Sequence, residues 1–149
     1  MKSLFDETTS KEMIMRIKNL KPDTKAVWGK MNVSQMLTHA QKPFMVAFDE
    51  LQLKRGIIGF LFGGIARKKL TSSKPFGKNL PTDKNFVVKD NPNFEMEKAK
   101  LIGYVEKFTK TGPDGITKLP HPFFGVMSPR EWDTLMYKHL DHHLRQFGS

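Results

Sequence analysis

Residues 128–148 read SPREWDTLMYKHLDHHLRQFG and contain the strongest helix signal in the chain. Ser128 is followed by Pro129 and, three residues after the serine, by Glu131. This is the spacing of an N-terminal capping box with proline at the first helical position. Gly148 has the residue type that most often terminates a helix. The stretch therefore predicts a helix that begins after Ser128 and ends close to Gly148.

The same stretch carries histidines on its apolar face. His139 and His143 are four residues apart, so one lies above the other in a helix. Trp132, Met136 and Phe147 fall on that face at about 100° per residue. We therefore expect both imidazoles to point towards the core of the protein.

Three further helices are predicted upstream. The first begins with a capping box at Thr9-Ser10-Lys11-Glu12 and is stopped by Pro22. The second starts at Asn32, with Gln35 as its capping partner. The third runs from about Asn93 to Thr109 and is ended by Gly112-Pro113-Asp114-Gly115. No alternating strand pattern is evident. The pattern predicts an all-α fold, a four-helix bundle formed by residues 1–149 as a single domain, with a long, partly irregular connection between helices 2 and 3.

Part of that connection has an ambiguous pattern. Residues 56–70 read GIIGFLFGGIARKKL, which is apolar and then basic. Residues 56–69 therefore suit a lid over one end of the bundle, a core helix or a segment that binds a membrane surface. Four glycines weaken an amphipathic helix here, which favours the lid.

Composition narrows the class of protein. The 149 residues include 25 basic and 15 acidic side chains and no cysteine. The first residues lack the apolar region of a secretory signal, and the apolar run Gly56–Ala66 is shorter than the ~20 residues that a membrane span needs. We expect a cytoplasmic protein without a transmembrane segment. The basic excess lacks a recognised nucleic-acid-binding motif, so we expect no nucleic-acid partner.

The histidines offer a metal site. His139 and His143 supply two inward nitrogens, and His39 on the second helix is the candidate third ligand if helices 2 and 4 pack side by side. The alternative is a set of core histidines bonded to carbonyl groups or water. All-nitrogen ligation suits zinc, nickel, copper or iron(II) and does not select among them.

Several segments resemble a subfamily of the DinB-like superfamily of metal-binding helical bundles. They are Trp28-Gly29-Lys30-Met31, Gln35-Met36-Leu37 with His39, the KPFGKNLPT segment at 74–82, HPFFG at 121–125, and Trp132 with HLDHHLRQFG at 139–148. The resemblance extends from about residue 9 to the end of the chain. The H-x-x-x-H spacing is common in the superfamily, whereas the WGKM, KPFxKNxPT and HPFFG segments are more particular to the subfamily.

The resemblance implies a four-helix bundle with a three-histidine site at His39, His139 and His143. It also implies nickel or zinc as the metal and, in many relatives, a homodimer. Relatives with assigned activities are mostly metal-dependent transferases that use low-molecular-weight thiols. The subfamily that these segments indicate has no assigned activity.

Three functions fit such a site. A metal-dependent transferase would activate a small thiol, because a coordinated thiol loses its proton near neutral pH. A hydrolase would use metal-bound hydroxide and a general base, for which His142 and His121 are candidates. A non-catalytic bundle would bind a metal or ligand without turnover. Lys74 and Lys78 are candidate substrate-binding cations for an anionic small molecule.

Overall fold

The computed structural model describes residues 2–53, 67, 69, 70, 72, 74–80 and 84–149. Four named α-helices occur within these ranges: α1 (Glu7–Asn19), α2 (Val33–Ala47), α3 (Phe94–Thr111) and α4 (Pro129–Gln146). Short 3-10 turns lie at Lys84–Phe86 and Gly112–Gly115. These ranges contain no strand, and one isolated bridge pairs His121 with Gly125. The predicted all-α four-helix bundle is confirmed.

Two predicted capping boxes are present. The Asn32 side chain accepts a hydrogen bond from the backbone of Gln35, whose side chain accepts one from the Asn32 backbone. Ser128 and Glu131 make the same reciprocal pair at the start of α4. These bonds satisfy backbone N–H groups that have no partner within the helix. They fix where the two histidine-bearing helices begin.

The prediction for the start of α1 was wrong. Thr9 and Ser10 do not form its cap but lie buried inside the helix. The cap is Asp6, whose carboxylate accepts from the backbone N–H of Thr9 at 2.8 Å. Ser10 instead meets the Thr109 hydroxyl of α3. Aspartate is as good a cap as serine or threonine. The contact of Ser10 with α3 further favours a helix that starts at Asp6, because it requires Ser10 to lie inside the helix.

The helices enclose one apolar core. Both α1 and α2 pack against α3 and α4. The largest side chains that α1 to α4 bury in this core are Met13, Ile17, Met36, Leu37, Phe44, Leu101, Phe108, Trp132, Met136 and Leu140. Because α2 and α4 are neighbours, residues on their facing sides come into contact.

The connection between α2 and α3 is attached to α4 at two described points. The Lys138 ammonium group is buried and donates to the carbonyl oxygens of Lys69, Leu70 and Ser72 at 2.9–3.2 Å. Arg67 forms a two-pronged ion pair with Glu131. The expectations for 56–69 otherwise concern residues 56–66 and 68, which lie outside the described residues.

Candidate metal centre

Histidines from two helices converge at the α2–α4 contact. His39 comes from α2, and His139 and His143 come from successive turns of α4. Their ring centroids are 4.6–5.0 Å apart. One ring nitrogen of each lies within 4.8 Å of the other two. The interface thus contains three nitrogen donors that point at a common region.

His39 is anchored from outside the cluster. Its Nδ1 lies 3.0 Å from the carbonyl oxygen of Phe86, in the turn before α3. A carbonyl oxygen only accepts, so Nδ1 carries the proton and Nε2 carries the lone pair. His39 is only 4% exposed. The turn at Lys84–Phe86 covers the imidazole, because the Phe86 ring also packs edge-on against it.

His143 is anchored by a glutamine one turn further along α4. Its Nδ1 lies 2.8 Å from Oε1 of Gln146. The other end of that amide, Nε2, donates to the carbonyl oxygen of Trp28 at 2.8 Å. The Val27 N–H also donates to the Gln146 carbonyl, so the Val27–Trp28 segment is bound to the end of α4.

The spacing between His39 and His139 suits a shared ion. Their Nε2 atoms are 3.2 Å apart. Two nitrogens that bind one ion at ~2.0–2.1 Å in tetrahedral geometry are about 3.3 Å apart. The same separation allows one N–H···N hydrogen bond when a proton rather than a metal ion lies between them. The donor set therefore fits a first-row transition metal.

Burial keeps the three imidazoles neutral. It lowers the pKa of His39, even though the bond to Phe86 opposes this shift. It lowers the pKa of His143 to about 3, and the nearby His39 contributes. Burial, assisted by His143 and His39, holds the pKa of His139 well below its usual value. Neutral imidazoles offer the lone pairs that metal ligation requires.

His142 lies beside the cluster and does not belong to it. Its ring centroid is 5.1 Å from that of His143 and lies near the rings of Trp28 and Phe76. The side chain is half-buried, and burial lowers its pKa. The Phe76 backbone acts in the opposite direction and raises this pKa. His142 is thus part of an aromatic wall next to the three-histidine cluster.

The two candidate lysines have different surroundings. The Lys78 ammonium lies 4.6 Å from the centre of the Trp28 ring, so it stands against the same aromatic wall. Lys74 is exposed and precedes Phe76 by two residues. Of the two candidate lysines, Lys78 is therefore the one for which the structure describes a contact with the aromatic wall.

His121 lies in a separate environment. Its Nδ1 accepts from the backbone N–H groups of Phe123 and Phe124 at 3.1–3.2 Å. Its ring packs on Trp132, which precedes His139 by seven residues, or ~10 Å along a helix. Burial lowers the pKa of His121 to about 4. The contacts of this residue stabilise the HPFFG turn and do not reach the three-histidine cluster.

Three contributors to the centre were missing from the sequence-based prediction. Phe86 acts through a backbone carbonyl, which no side-chain pattern reveals. Gln146 follows His143 by three residues, and that spacing was the available signal. Gly29 passes so close to the Gln146 amide that an added Cβ would lie within 2.4 Å of its nitrogen.

Comparison with known families gives one match. Residues 2–149 match DUF1569, described as a protein family of unknown function. The chain belongs to the DUF1569 family. No curated protein and no solved structure matches it significantly.

The match covers all the elements that form the centre of this DUF1569 protein, from the Trp28 segment to the end of α4. Among the described residues, no helix is long and apolar enough to cross a membrane.

Proposed function

We propose that this protein binds a divalent transition metal, nickel or zinc, through His39, His139 and His143. The observation that carries the proposal is the 3.2 Å approach of the His39 and His139 Nε2 atoms, with the His39 lone pair directed there by the Phe86 carbonyl. His143 adds a third neutral donor from the same side. The Nδ1 atoms of His39 and His143 already have partners in the protein. A shared ion would satisfy the lone pairs on their buried Nε2 atoms, which are costly to leave without a partner.

We further propose that the site supports a metal-dependent transferase reaction on a small thiol. A bound ion with only neutral ligands retains its charge, which favours an anionic ligand such as thiolate. The chain's own part is to position that ligand: Trp28, Phe76 and His142 provide an aromatic wall, and Lys78 places a cation against it. An anionic small-molecule substrate suits this wall, with Lys74 as a second candidate contact.

A hydrolase is the second candidate, because His142 stands next to His143 and is neutral. An imidazole in that place could accept a proton from water at the site. A panel that includes both thiols with electrophilic partners and simple esters separates the two reactions.

The histidine placement and helix order also agree with the DinB-like resemblance, and we propose that relationship for the family. A homodimer, which many DinB-like relatives form, is a further proposal that sedimentation analysis can test.

Elemental analysis of the protein purified without a histidine tag tests the metal site. We expect about one nickel or zinc ion per chain in the wild type and none in His39→Ala, His139→Ala or His143→Ala. His142→Ala is the matched control and should retain the ion, because His142 lies beside the three donors. A wild type without metal after incubation with either ion and dialysis would refute the site.

The activity panel then uses His143→Ala as its control. Turnover that needs the metal and disappears in this variant supports an enzyme. Metal loss without loss of a detected turnover would refute the proposed mechanism. A metal-loaded wild type that is inactive on the whole panel would favour a non-catalytic binding protein.

A further inference from the structure

The amide of Gln146 has an unambiguous orientation. The side chain is 4% exposed and lies between two partners, the Trp28 carbonyl and Nδ1 of His143. The Trp28 carbonyl oxygen can only accept, so it must face the NH₂ end of the amide. The oxygen end of Gln146 therefore faces His143.

This orientation has a chemical consequence for His143. An amide oxygen only accepts, so Nδ1 of His143 must carry a proton. In a neutral imidazole, Nε2 then holds the lone pair. A free histidine populates both tautomers, but the Trp28–Gln146 arrangement selects the one that can ligate through Nε2.

The backbone next to Trp28 is shaped to permit this contact. Gly29 has a φ of +83°, which L-residues rarely adopt, and leaves no side chain where the Gln146 nitrogen lies. Gln146 is thus enclosed, and its amide cannot turn over without leaving the Trp28 carbonyl unpaired. Gln146 could therefore have either of two roles: it selects the tautomer of His143, or it only attaches the Trp28 segment to α4. An experiment has to distinguish these roles.

We propose that Gln146 is a positioning residue of the metal centre, which sets the tautomer of His143 and so presents its Nε2 lone pair to the ion. This inference rests on the proposed metal-binding function. Residues that hold the second nitrogen of a ligating histidine typically contribute about 10–100-fold to metal affinity.

Two substitutions of Gln146 separate positioning from attachment. Gln146→Leu removes the acceptor for His143 and the donor for Trp28. Gln146→Glu retains an acceptor for His143 but cannot donate to Trp28. Both variants should lose stability, whereas only Gln146→Leu should lose affinity for the ion.

The measurement is a competitive titration with Co²⁺ and Zn²⁺, together with the Co²⁺ absorption spectrum. We expect Gln146→Leu to bind about 10–100-fold more weakly with an altered spectrum. Gln146→Glu should bind within a few-fold of the wild type. Gln41→Leu is the matched control: this glutamine is also buried, but it bonds Glu97 and not the histidines. It should lose stability and keep its Co²⁺ affinity.

Nitrogen-15 NMR of the metal-free wild type at fixed neutral pH tests the tautomer directly and needs no variant to fold. The His143 signals should show a protonated Nδ1 and an unprotonated Nε2. The opposite tautomer would refute the inference, as would equal affinity losses in the Leu and Glu variants or none in either. A wild type that takes up neither ion would refute the proposed function, and the NMR result would still judge the tautomer.

Discussion

A pair of glycine-to-alanine substitutions should change stability in opposite directions. Gly29 lies in the segment that contacts the end of α4, and Gly103 lies on the exposed side of α3. Both substitutions add the same methyl group, so the chemistry of the change cannot account for a difference between them. Only the backbone conformation and the space around each glycine differ.

The expected loss at Gly29 follows from two observations. A φ of +83° costs an alanine about 1–2 kcal/mol. The new Cβ would also lie 2.4 Å from the Gln146 side-chain nitrogen and would displace that amide. Gln146 then loses its bonds to Trp28 and His143, each worth about 1 kcal/mol. Gly29→Ala should therefore lower the free energy of unfolding by about 3–4 kcal/mol.

The expected gain at Gly103 follows from helix propensity. An added Cβ there meets no atom within 4 Å, and the residue lies well inside α3. Alanine in a helix interior is favoured over glycine by about 0.5–1 kcal/mol. Gly103→Ala should raise the free energy of unfolding by about that amount.

Urea denaturation followed by circular dichroism measures both changes. With a slope of about 2 kcal/mol per molar, the midpoint should fall by roughly 1.5–2 M for Gly29→Ala and rise by up to roughly 0.5 M for Gly103→Ala. The backbone conformation alone would lower the midpoint by about 0.5–1 M, so a fall no larger than about 1 M for Gly29→Ala would show that the Trp28 segment does not approach Gln146 as described.

Three further changes test other parts of the structure. Acid should destabilise the wild type more than the His121→Asn variant, because burial lowers the pKa of His121 to about 4 in the folded protein against 6.5 in the unfolded chain. Asparagine does not titrate in this range but retains an acceptor for the 123–124 backbone. The contribution of neutral His121 to the free energy of unfolding is complete above pH 6.5 and declines to zero as the pH falls through 4. The free energy of unfolding measured in urea should therefore fall between pH 7 and pH 4 by about 3 kcal/mol more in the wild type than in the variant. Lys138→Met leaves buried carbonyl oxygens without their donor and should cost about 2–4 kcal/mol in the same assay; an unchanged midpoint would contradict the described contacts. Zn²⁺ at a hundredfold excess over its dissociation constant should stabilise the wild type by about 2.7 kcal/mol, a rise of roughly 5–10 °C in a thermal melt. His143→Ala should not respond to Zn²⁺, and an equal rise in that variant would argue against the site.

Helix positions were largely predictable because their signals are local. The boxes at Asn32 and Ser128 each involve residues three positions apart, so neighbouring side chains alone define them. The start of α1 was not predictable in the same way. Asp6 and the Thr9–Ser10 pair are both plausible caps, and the contact of Ser10 with Thr109 of α3 helps to place the start earlier.

Part of the candidate site was also predictable. His139 and His143 fall on one helix face by spacing alone, and His39 was the remaining histidine on an amphipathic helix. Their convergence depends on how α2 meets α4, which no local pattern contains. The burial of His39 depends further on the turn at Lys84–Phe86, more than forty residues along the chain.

The sequence by itself determined the helices, the side of each helix that faces inward and the residue types able to ligate a metal, since these follow from periodicities of three to four residues. The three-dimensional packing supplied the rest: the 3.2 Å approach of two imidazole nitrogens, the Phe86 carbonyl behind His39 and the Trp28–Gln146 contact behind His143. Each of these joins residues that are roughly fifty to more than a hundred positions apart. Such contacts are fixed only when the whole core packs, because their geometry depends on the relative placement of entire helices and loops.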